Sequence, residues 1–425
     1  MTETFKNLKK YNYWYKKKID IGFVRQAYLD KLKKYSENKL IKVLIGQRRV
    51  GKSYVMRQLI FALINQGVLR KNIFYLNKEL VEFDEIKNYQ DLSKLIKEYK
   101  KELKIKGKVY VFIDEVQEIF EWEKIINSLS QNHKESYELY ISGSNSKMLS
   151  GELATLLSGR YVTFEIYPFS FQEYIEYFSL ERNKQSFINY LKVGGLPELY
   201  KLNGEELKVN YINALKNTIF LEDIVHRHRI KDAHLLEALI KFMVDNIGNL
   251  FSVNKIVNHL GSHNIKIKHE TVSNYIGYML ETYLIHEATR YDIKGKDFLT
   301  GNKKYYINDL AFKTYLSSGF DYGLSHSLEN AMYIYFRSLG YNVFVGKIGE
   351  WEVDFIIEKS REKKYVQIAY IFSDKKVIER EFRSLEAIND AYEKIVISLD
   401  DISLGNKNGI KHILAWEIGF GKLGN

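Results

Sequence analysis

Cysteine is absent from this 425-residue sequence, and proline occurs only at Pro168 and Pro197. Without cysteine there are no disulfides, zinc–cysteine sites, iron–sulfur clusters or thiol catalysis, so any chemistry uses oxygen, nitrogen and hard metals. So little proline leaves no proline-rich linker to mark a domain boundary, and no internal repeat is evident. Long apolar runs are missing too: nothing approaches the roughly 18 uncharged apolar residues of a membrane span. The segment Met1 to Lys18 mixes lysines with Tyr11, Tyr13, Trp14 and Tyr15, and it lacks the apolar core and small-residue cleavage site of a secretory signal. A cytoplasmic chain that makes no use of a membrane is expected. Acidic residues number 53 against 64 basic ones, for a formal net charge of +11. Such a field attracts polyanions, nucleic acid among them; a lysine- and asparagine-rich composition from an AT-rich genome gives the same balance.

What is present suits a globular protein, 45% apolar and 28% charged, long enough at roughly 150 residues per domain for about three domains. Short β-branched runs (Ile41 to Ile45, Asn72 to Leu76, Val109 to Ile113, Glu138 to Ser142, Val162 to Ile166) alternate with helical stretches such as Tyr54 to Asn65 and Asp91 to Lys104. That alternation predicts βαβ units around a parallel sheet. From Ser170 to about Asp245 the apolar spacing turns helical.

Directly after Ile45 come Gly46, Gln47, Arg48, Arg49, Val50, Gly51, Lys52 and Ser53, ahead of the helical pattern from Tyr54. This is G-x-x-x-x-G-K-[ST] between a strand and a helix. Its glycines let backbone N–H groups curl round phosphate oxygens at a helix N-terminus. Lys52 is suited to the β- and γ-phosphates of ATP, and the Ser53 hydroxyl to Mg²⁺. The run Val109 to Ile113 then delivers Asp114 and Glu115 to the carboxyl end of a buried strand, the edge where open α/β sheets bind ligands. Asp114 is expected to hold Mg²⁺ through water beside Ser53, and Glu115 to orient and polarise the attacking water. A third run ends in Ser142-Gly143-Ser144-Asn145-Ser146, and Leu157-Ser158-Gly159-Arg160 sets an arginine just before another strand.

These stretches, with Phe112 to Gln117, Tyr167 to Phe171, Gly194-Gly195-Leu196-Pro197-Glu198 and Asp223-Ile224-Val225, resemble the prokaryotic AAA-type ATPases that join an N-terminal P-loop domain to a C-terminal region of unknown function. The resemblance runs over nearly the whole chain and implies ATP hydrolysis on an AAA-type parallel sheet. It implies that a polar residue at the tip of the strand beside the acidic pair meets the γ-phosphate or its water, with Asn145 favoured over Ser144. Arg160, just before a strand, is placed either to act as an arginine finger across a subunit interface, hence in a homo-oligomer, or to be an ordinary surface arginine. The run from Gly194 to Glu198 reads as a structural turn.

Further on, Phe251 to Leu260, capped by Ser252, and Lys268 to Glu281 read as helix, turn, helix. Leu284 to Tyr291 and Lys303 to Ile307 would be the strands of a wing with a basic tip at Lys294 and Lys296. Lys268, His269, Ser273 and Asn274 fall on the polar face of the second helix, where a recognition helix meets DNA; docking or dimerisation is the other use of such a module. Glu329 in a helix, Asp354 on a strand and Gln367 on the next resemble the PD-(D/E)XK nuclease core, but Gln367 stands at the position of an acid and Ala369 at that of the lysine such enzymes need. A degenerate site follows, although Lys363 or Lys364 could take over the lysine's place.

The expected architecture is α/β: a P-loop AAA-type domain with an N-terminal extension over 1–168, a helical connector or lid over 169–245, a winged helix over 246–318, and a degenerate nuclease-like α/β domain over 319–425. The expected function is Mg²⁺-dependent ATP hydrolysis that drives conformational change in a DNA-associated machine. A regulatory switch acting on protein partners and an ATP-dependent nuclease are the alternatives.

Overall fold

The computed structural model describes residues 1–15, 18–146, 156–157, 159–262, 265, 267–317 and 323–418. The chain divides into two compact units, Met1–Ile166 and Tyr167–Asn425. In the first, helices α1 (Glu3–Tyr11) and α2 (Gln26–Lys34) precede β1 (Ile41–Ile45), α3 (Lys52–Asn65), β2 (Ile73–Asn77), α4 (Tyr89–Glu102), β3 (Val109–Asp114), α5 (Trp122–Ser130), β4 (Tyr137–Gly143) and β5 (Tyr161–Glu165). The five strands form one parallel sheet in the order β2-β3-β4-β1-β5. β1 and β4 are buried along their whole length, which is why they carry apolar residues on both faces rather than in alternation, the exceptions being Lys42, Glu138 and Ser142. Helix α4 shows the complementary pattern: Leu92, Leu95, Ile96 and Tyr99 are buried at three- and four-residue spacing, and Asn88 caps its first turn.

The N-terminal extension covers the edge of this sheet. Asn12 accepts the N–H of Tyr75 at 2.7 Å and donates to its carbonyl at 2.8 Å, and the Trp14 indole donates to the Ile73 carbonyl. The exposed backbone of edge strand β2 is thereby satisfied. Between β1 and β4, Lys42 is fully buried and ion-paired to Glu138, whose second oxygen meets Lys108 at 3.0 Å.

The second unit opens with α6 (Phe171–Phe178), α7 (Lys184–Val193), α8 (Glu205–Thr218), a π-helical stretch Ile219–His226, and α9 (Ala233–Asp245). The turn after α7 is explained by Asp309, which accepts the N–H groups of Gly195 at 2.7 Å and Ala311 at 2.8 Å. Gly194 has a φ of +80°, and a Cβ there would lie 2.1 Å from the Asp309 carboxylate, so only glycine fits.

Then come β6 (Leu250–Phe251), α10 (Val253–Ser262), α11 (His269–Glu281), β7 (Ile285–Asp292), β8 (Asp297–Ile307), α12 (Leu310–Leu316), α13 (Leu324–Ser338), β9 (Asn342–Ile348), β10 (Trp351–Lys359), β11 (Glu362–Ile368), α14 (Lys375–Glu386), β12 (Glu393–Ser398), β13 (Asn406–Lys407) and β14 (Ile410–Leu414). The hairpin expected as a wing does not stand free. β7 pairs in parallel with β9 through Arg290–Val345, Tyr291–Gly346 and Asp292–Lys347. One nine-stranded sheet, β13-β14-β12-β11-β10-β9-β7-β8-β6, therefore runs through both of the segments expected as winged helix and nuclease-like domain. The boundary expected at 318/319 falls on residues outside those described. Among the described residues no helix is long and apolar enough to cross a membrane.

Candidate nucleotide-binding site

The loop after β1 is shaped by its glycines and by what lies behind it. Gly46 has a φ of +139°, and a Cβ there would sit 2.3 Å from the Ile166 carbonyl oxygen, so any side chain would push the loop off the sheet. Helix α3 begins at Lys52 with Gly51 as its cap, leaving the N–H groups of its first turn directed at the loop's concavity, where an anion is stabilised. Lys52 is 4% exposed. Its ammonium donates to the carbonyls of Gly46 at 3.0 Å and Gln47 at 3.1 Å and lies 3.5 Å from Glu115 Oε1. Arg48 pairs with Glu79 at 2.9 Å at the loop's outer side.

The acidic pair meets the loop because β4 lies between β1 and β3, opposing Gly143 to Ile45 and Ile141 to Ile113. Asp114 accepts from the hydroxyl of Ser142 and from the Tyr75 phenol at 3.3 Å. Burial first, then the charge of Glu115, raises its carboxyl above the ordinary range against the opposing pull of the hydroxyls of Ser142 and Ser53 and the ammonium of Lys52. Glu115 behaves the other way. Burial pushes it up, but Lys52, Gln117, Arg48 and Ser144 together outweigh that and hold it below the usual carboxylate range. The Gln117 amide donates to Glu115 at 2.6 Å, and the Glu115 N–H donates to Ser142 Oγ at 3.1 Å. The backbone of Glu115 is left-handed, φ +53°, a conformation tolerated where the surroundings fix it.

Ser144 and Asn145, each 2% exposed, follow the end of β4 on this same edge, and Ser144 reaches Glu115. Ser53 reaches Asp114. Arg160 does not join them. Its carbonyl accepts the N–H of Ile41 at 2.9 Å, and its exposed guanidinium faces Asn127 at 3.4 Å, which puts it at the amino ends of β1 and β5, opposite the loop. Ser158 lies outside the described residues.

Sequence reasoning missed Ser142, whose hydroxyl ties both acids together; it stands in an apolar run that ends in a turn, and its neighbours Gly143 and Ser144 make it look like part of that turn. It also missed the strap beside the loop. Gln58 of α3 accepts the N–H of Arg25 at 3.1 Å and donates to the carbonyls of Ile21 at 2.8 Å and Phe23 at 2.7 Å, while Arg25 donates to the Val50 carbonyl at 3.3 Å. A glutamine within an amphipathic helix gives no signal of this.

In the second unit Lys268, the N-cap of α11, and His269, Ser273 and Asn274 on it are all exposed, and Lys294 and Lys296 are exposed at the β7–β8 turn. Asp292 shapes that turn by accepting the N–H groups of Lys294 and Gly295, each at 3.0 Å, and these bonds hold its carboxyl below the usual range. Glu329 and Asp354 come together around Lys304, a residue that no sequence pattern singles out. Gln367 turns instead to the Asp354 N–H at 3.4 Å and the Ser384 hydroxyl at 3.3 Å.

A parallel sheet in this order, with a phosphate-binding loop after β1 and paired acids after β3, makes the first unit a P-loop domain of the AAA class, and the family described as an AAA domain matches residues 38–175. A domain of unknown function (DUF8612) matches residues 184–322. An uncharacterized protein of Haemophilus influenzae is 37% identical over 378 residues, covering 88% of this chain and 92% of its own length. One of Methanocaldococcus jannaschii is 31% identical over 398 residues, 90% of this chain and 84% of its own. The chain belongs to the family of these two proteins. Among solved structures it is similar to the Aeropyrum pernix ORC1 protein in complex with DNA (13% identity, TM-score 0.31, 70% of this chain and 94% of that one) and to the Thermotoga maritima RuvB Holliday junction branch migration motor (15%, 0.32, 62% and 89%). Values of this size describe a distant likeness, and the functional reading rests on the residues of the loop and the acidic pair.

Proposed function

We propose that this protein is an Mg²⁺-dependent ATPase whose hydrolysis drives a DNA-associated machine. The observation that carries the first half is the meeting of the Lys52 ammonium, the Glu115 carboxylate and the Asp114–Ser142 pair at one sheet edge. Lys52 exchanges the carbonyls of Gly46 and Gln47 for the β- and γ-phosphate oxygens of ATP. Ser53 and Asp114, a hydroxyl and a carboxylate facing each other, suit a hard cation and are the residues that would hold Mg²⁺. When bound, Mg²⁺ neutralises charge on the phosphates. Glu115, kept ionised by Lys52, accepts the proton of the attacking water. Ser144 and Asn145, on the same edge, fix that water or the γ-phosphate, and Arg160 supports the transition state of a neighbouring subunit.

The DNA half of the reading is supported by the exposed His269, Ser273 and Asn274 on one helix and Lys268 at its N-cap, the exposed Lys294 and Lys296, and the net charge of +11. Phosphate-release measurements test both halves. Turnover is expected in wild type, absent in Lys52→Ala, and raised several-fold by duplex, single-stranded or branched DNA. No turnover in wild type under any of these conditions would overturn the first half, and turnover indifferent to DNA the second.

A further inference from the structure

The buried acids of the second unit already hold a positive charge. Lys304, 4% exposed on β8, places its Nζ 2.7 Å from Glu352 Oε1, 2.9 Å from Glu329 Oε1 and 3.6 Å from Asp354 Oδ1. The three carboxylates come from two elements, α13 and β10, and converge on the one ammonium. Tyr306, two residues on and so on the same face of β8, donates its hydroxyl to the same Glu329 oxygen at 2.7 Å. Asp354 turns its other oxygen to the N–H of Ile368 at 2.8 Å. The ammonium donates to Glu352 and Glu329 and faces Asp354 as a charge neighbour.

We infer that Lys304 is the built-in cation of this cluster, its ammonium standing where a divalent metal would have to sit among Glu329, Glu352 and Asp354, and that it closes the site to metal and to metal-dependent phosphodiester cleavage. A hard divalent ion needs oxygen ligands at about 2.0–2.6 Å, and the carboxylates cannot contract onto one while holding an ammonium in their midst. The remaining oxygen of the nuclease-like set is also engaged, because Gln367 Oε1 takes the Asp354 N–H and the Ser384 hydroxyl. The acids are thus retained as ligands of a side chain. They tie β8 to α13 and β10, whereas a sequence with Gln367 and Ala369 alone suggested only a weakened metal site. The inference deepens the degenerate nuclease reading and is independent of the ATPase reading.

The test is a titration of the nucleotide-free full chain with Mn²⁺, with free ion read by electron paramagnetic resonance. Wild type and Asp354→Asn are expected to take up the same amount. Lys304→Met is expected to bind one Mn²⁺ more per chain than wild type, and Lys304→Met/Asp354→Asn to lose it. Removing the ammonium leaves the buried Glu329 and Asp354 and the half-buried Glu352 uncompensated, so Mn²⁺ should also raise the melting temperature of Lys304→Met while leaving that of wild type unchanged. Mn²⁺ uptake by wild type that Asp354→Asn removes would overturn the inference and make Lys304 an assistant to a bound metal. A folded Lys304→Met that gains no site would overturn it as well. Should Lys304→Met not fold, the comparison of wild type with Asp354→Asn still decides.

Discussion

Replacing Glu115 with glutamine separates binding from hydrolysis, and the surroundings of Glu115 give the size of each effect. Its carboxylate lies 3.5 Å from Lys52 and is 6% exposed, so it acts on bound phosphate with little screening. A unit negative charge about 5 Å from a unit negative phosphate charge costs about 3 kcal/mol at an effective dielectric constant of ~20. Glutamine keeps the shape and removes that repulsion, and Lys52, freed of its counter-charge, is wholly available to the phosphates. ATP should therefore bind Glu115→Gln at least as tightly as wild type, by a factor between about 1 and 100. Hydrolysis should fall by roughly 10²–10⁴, the usual contribution of a general base, equivalent to about 3–5 kcal/mol in the transition state. Equilibrium binding of a fluorescent ATP analogue and single-turnover phosphate release, both in Mg²⁺, read the two quantities separately. Turnover within a factor of about three of wild type would remove Glu115 from the chemistry. Binding weakened tenfold would show that Glu115 is needed to shape the loop, contrary to the electrostatic argument.

Ser142→Ala should move the acid limb of the pH–rate profile upward: the proposed role of Asp114 with Mg²⁺ requires it ionised, burial already raises its carboxyl, and the Ser142 hydroxyl is one of the groups opposing that rise. Activity should therefore be lost at a higher pH on acidification than in wild type, and an unmoved limb would count against Asp114 as the titrating group. Lys42→Met should cost about 1–3 kcal/mol in denaturant unfolding, because Glu138 loses its fully buried partner and keeps only Lys108 at 3.0 Å, while Lys42→Met/Glu138→Leu should recover most of that loss; equal losses in the two variants would mean the ion pair itself stabilises. Lys268→Ala, Lys294→Ala and Lys296→Ala together should weaken DNA binding and lower the slope of log affinity against log salt by about 0.9 for each phosphate no longer neutralised, and an unchanged slope would put any DNA surface elsewhere. Arg160→Ala should bind ATP, hydrolyse it poorly, and regain activity when mixed with Lys52→Ala; mixtures that show no rescue would exclude a role in trans.

The first unit was legible because β1 to β4 are buried on both faces, with only β5 half-buried. Parallel strands of that kind appear as predominantly apolar runs rich in β-branched and aromatic residues, followed by the helical spacing of a crossover. The loop from Gly46 to Ser53 and the pair Asp114–Glu115 were legible because phosphate and water chemistry constrain residue types over short spans. Pairings between distant segments were not. Nothing in Arg290 to Asp292 or Val345 to Lys347 announces that they lie side by side, and the hairpin therefore looked like a free wing. Lys304 was hidden for a related reason. A lysine beside Lys303 in a strand reads as solvated, and only the arrival of Glu329 from α13 and Glu352 from β10 turns it into a buried hub.

The direction of the parallel strands also sorts the charged residues of the first unit by task. All five run the same way, so every carboxyl end lies on one edge, and Lys52, Asp114, Glu115, Ser144 and Asn145 all follow such ends. Lys42, Glu138 and Arg160 lie toward the amino ends. The Lys42–Glu138 pair is therefore a packing device, remote from phosphate, and its removal should be felt in stability before it is felt in catalysis. Arg160 precedes a strand aligned residue for residue with β1, from Ile41–Tyr161 to Ile45–Glu165. Five residues of strand separate it from the level of the loop, about 16–17 Å at ~3.3 Å per residue, roughly twice the reach of an arginine side chain. Within one chain Arg160 cannot touch the nucleotide held by its own loop. If it contributes to hydrolysis at all, it does so on a second copy, and the ATPase rate should then depend on protein concentration through the range in which copies associate.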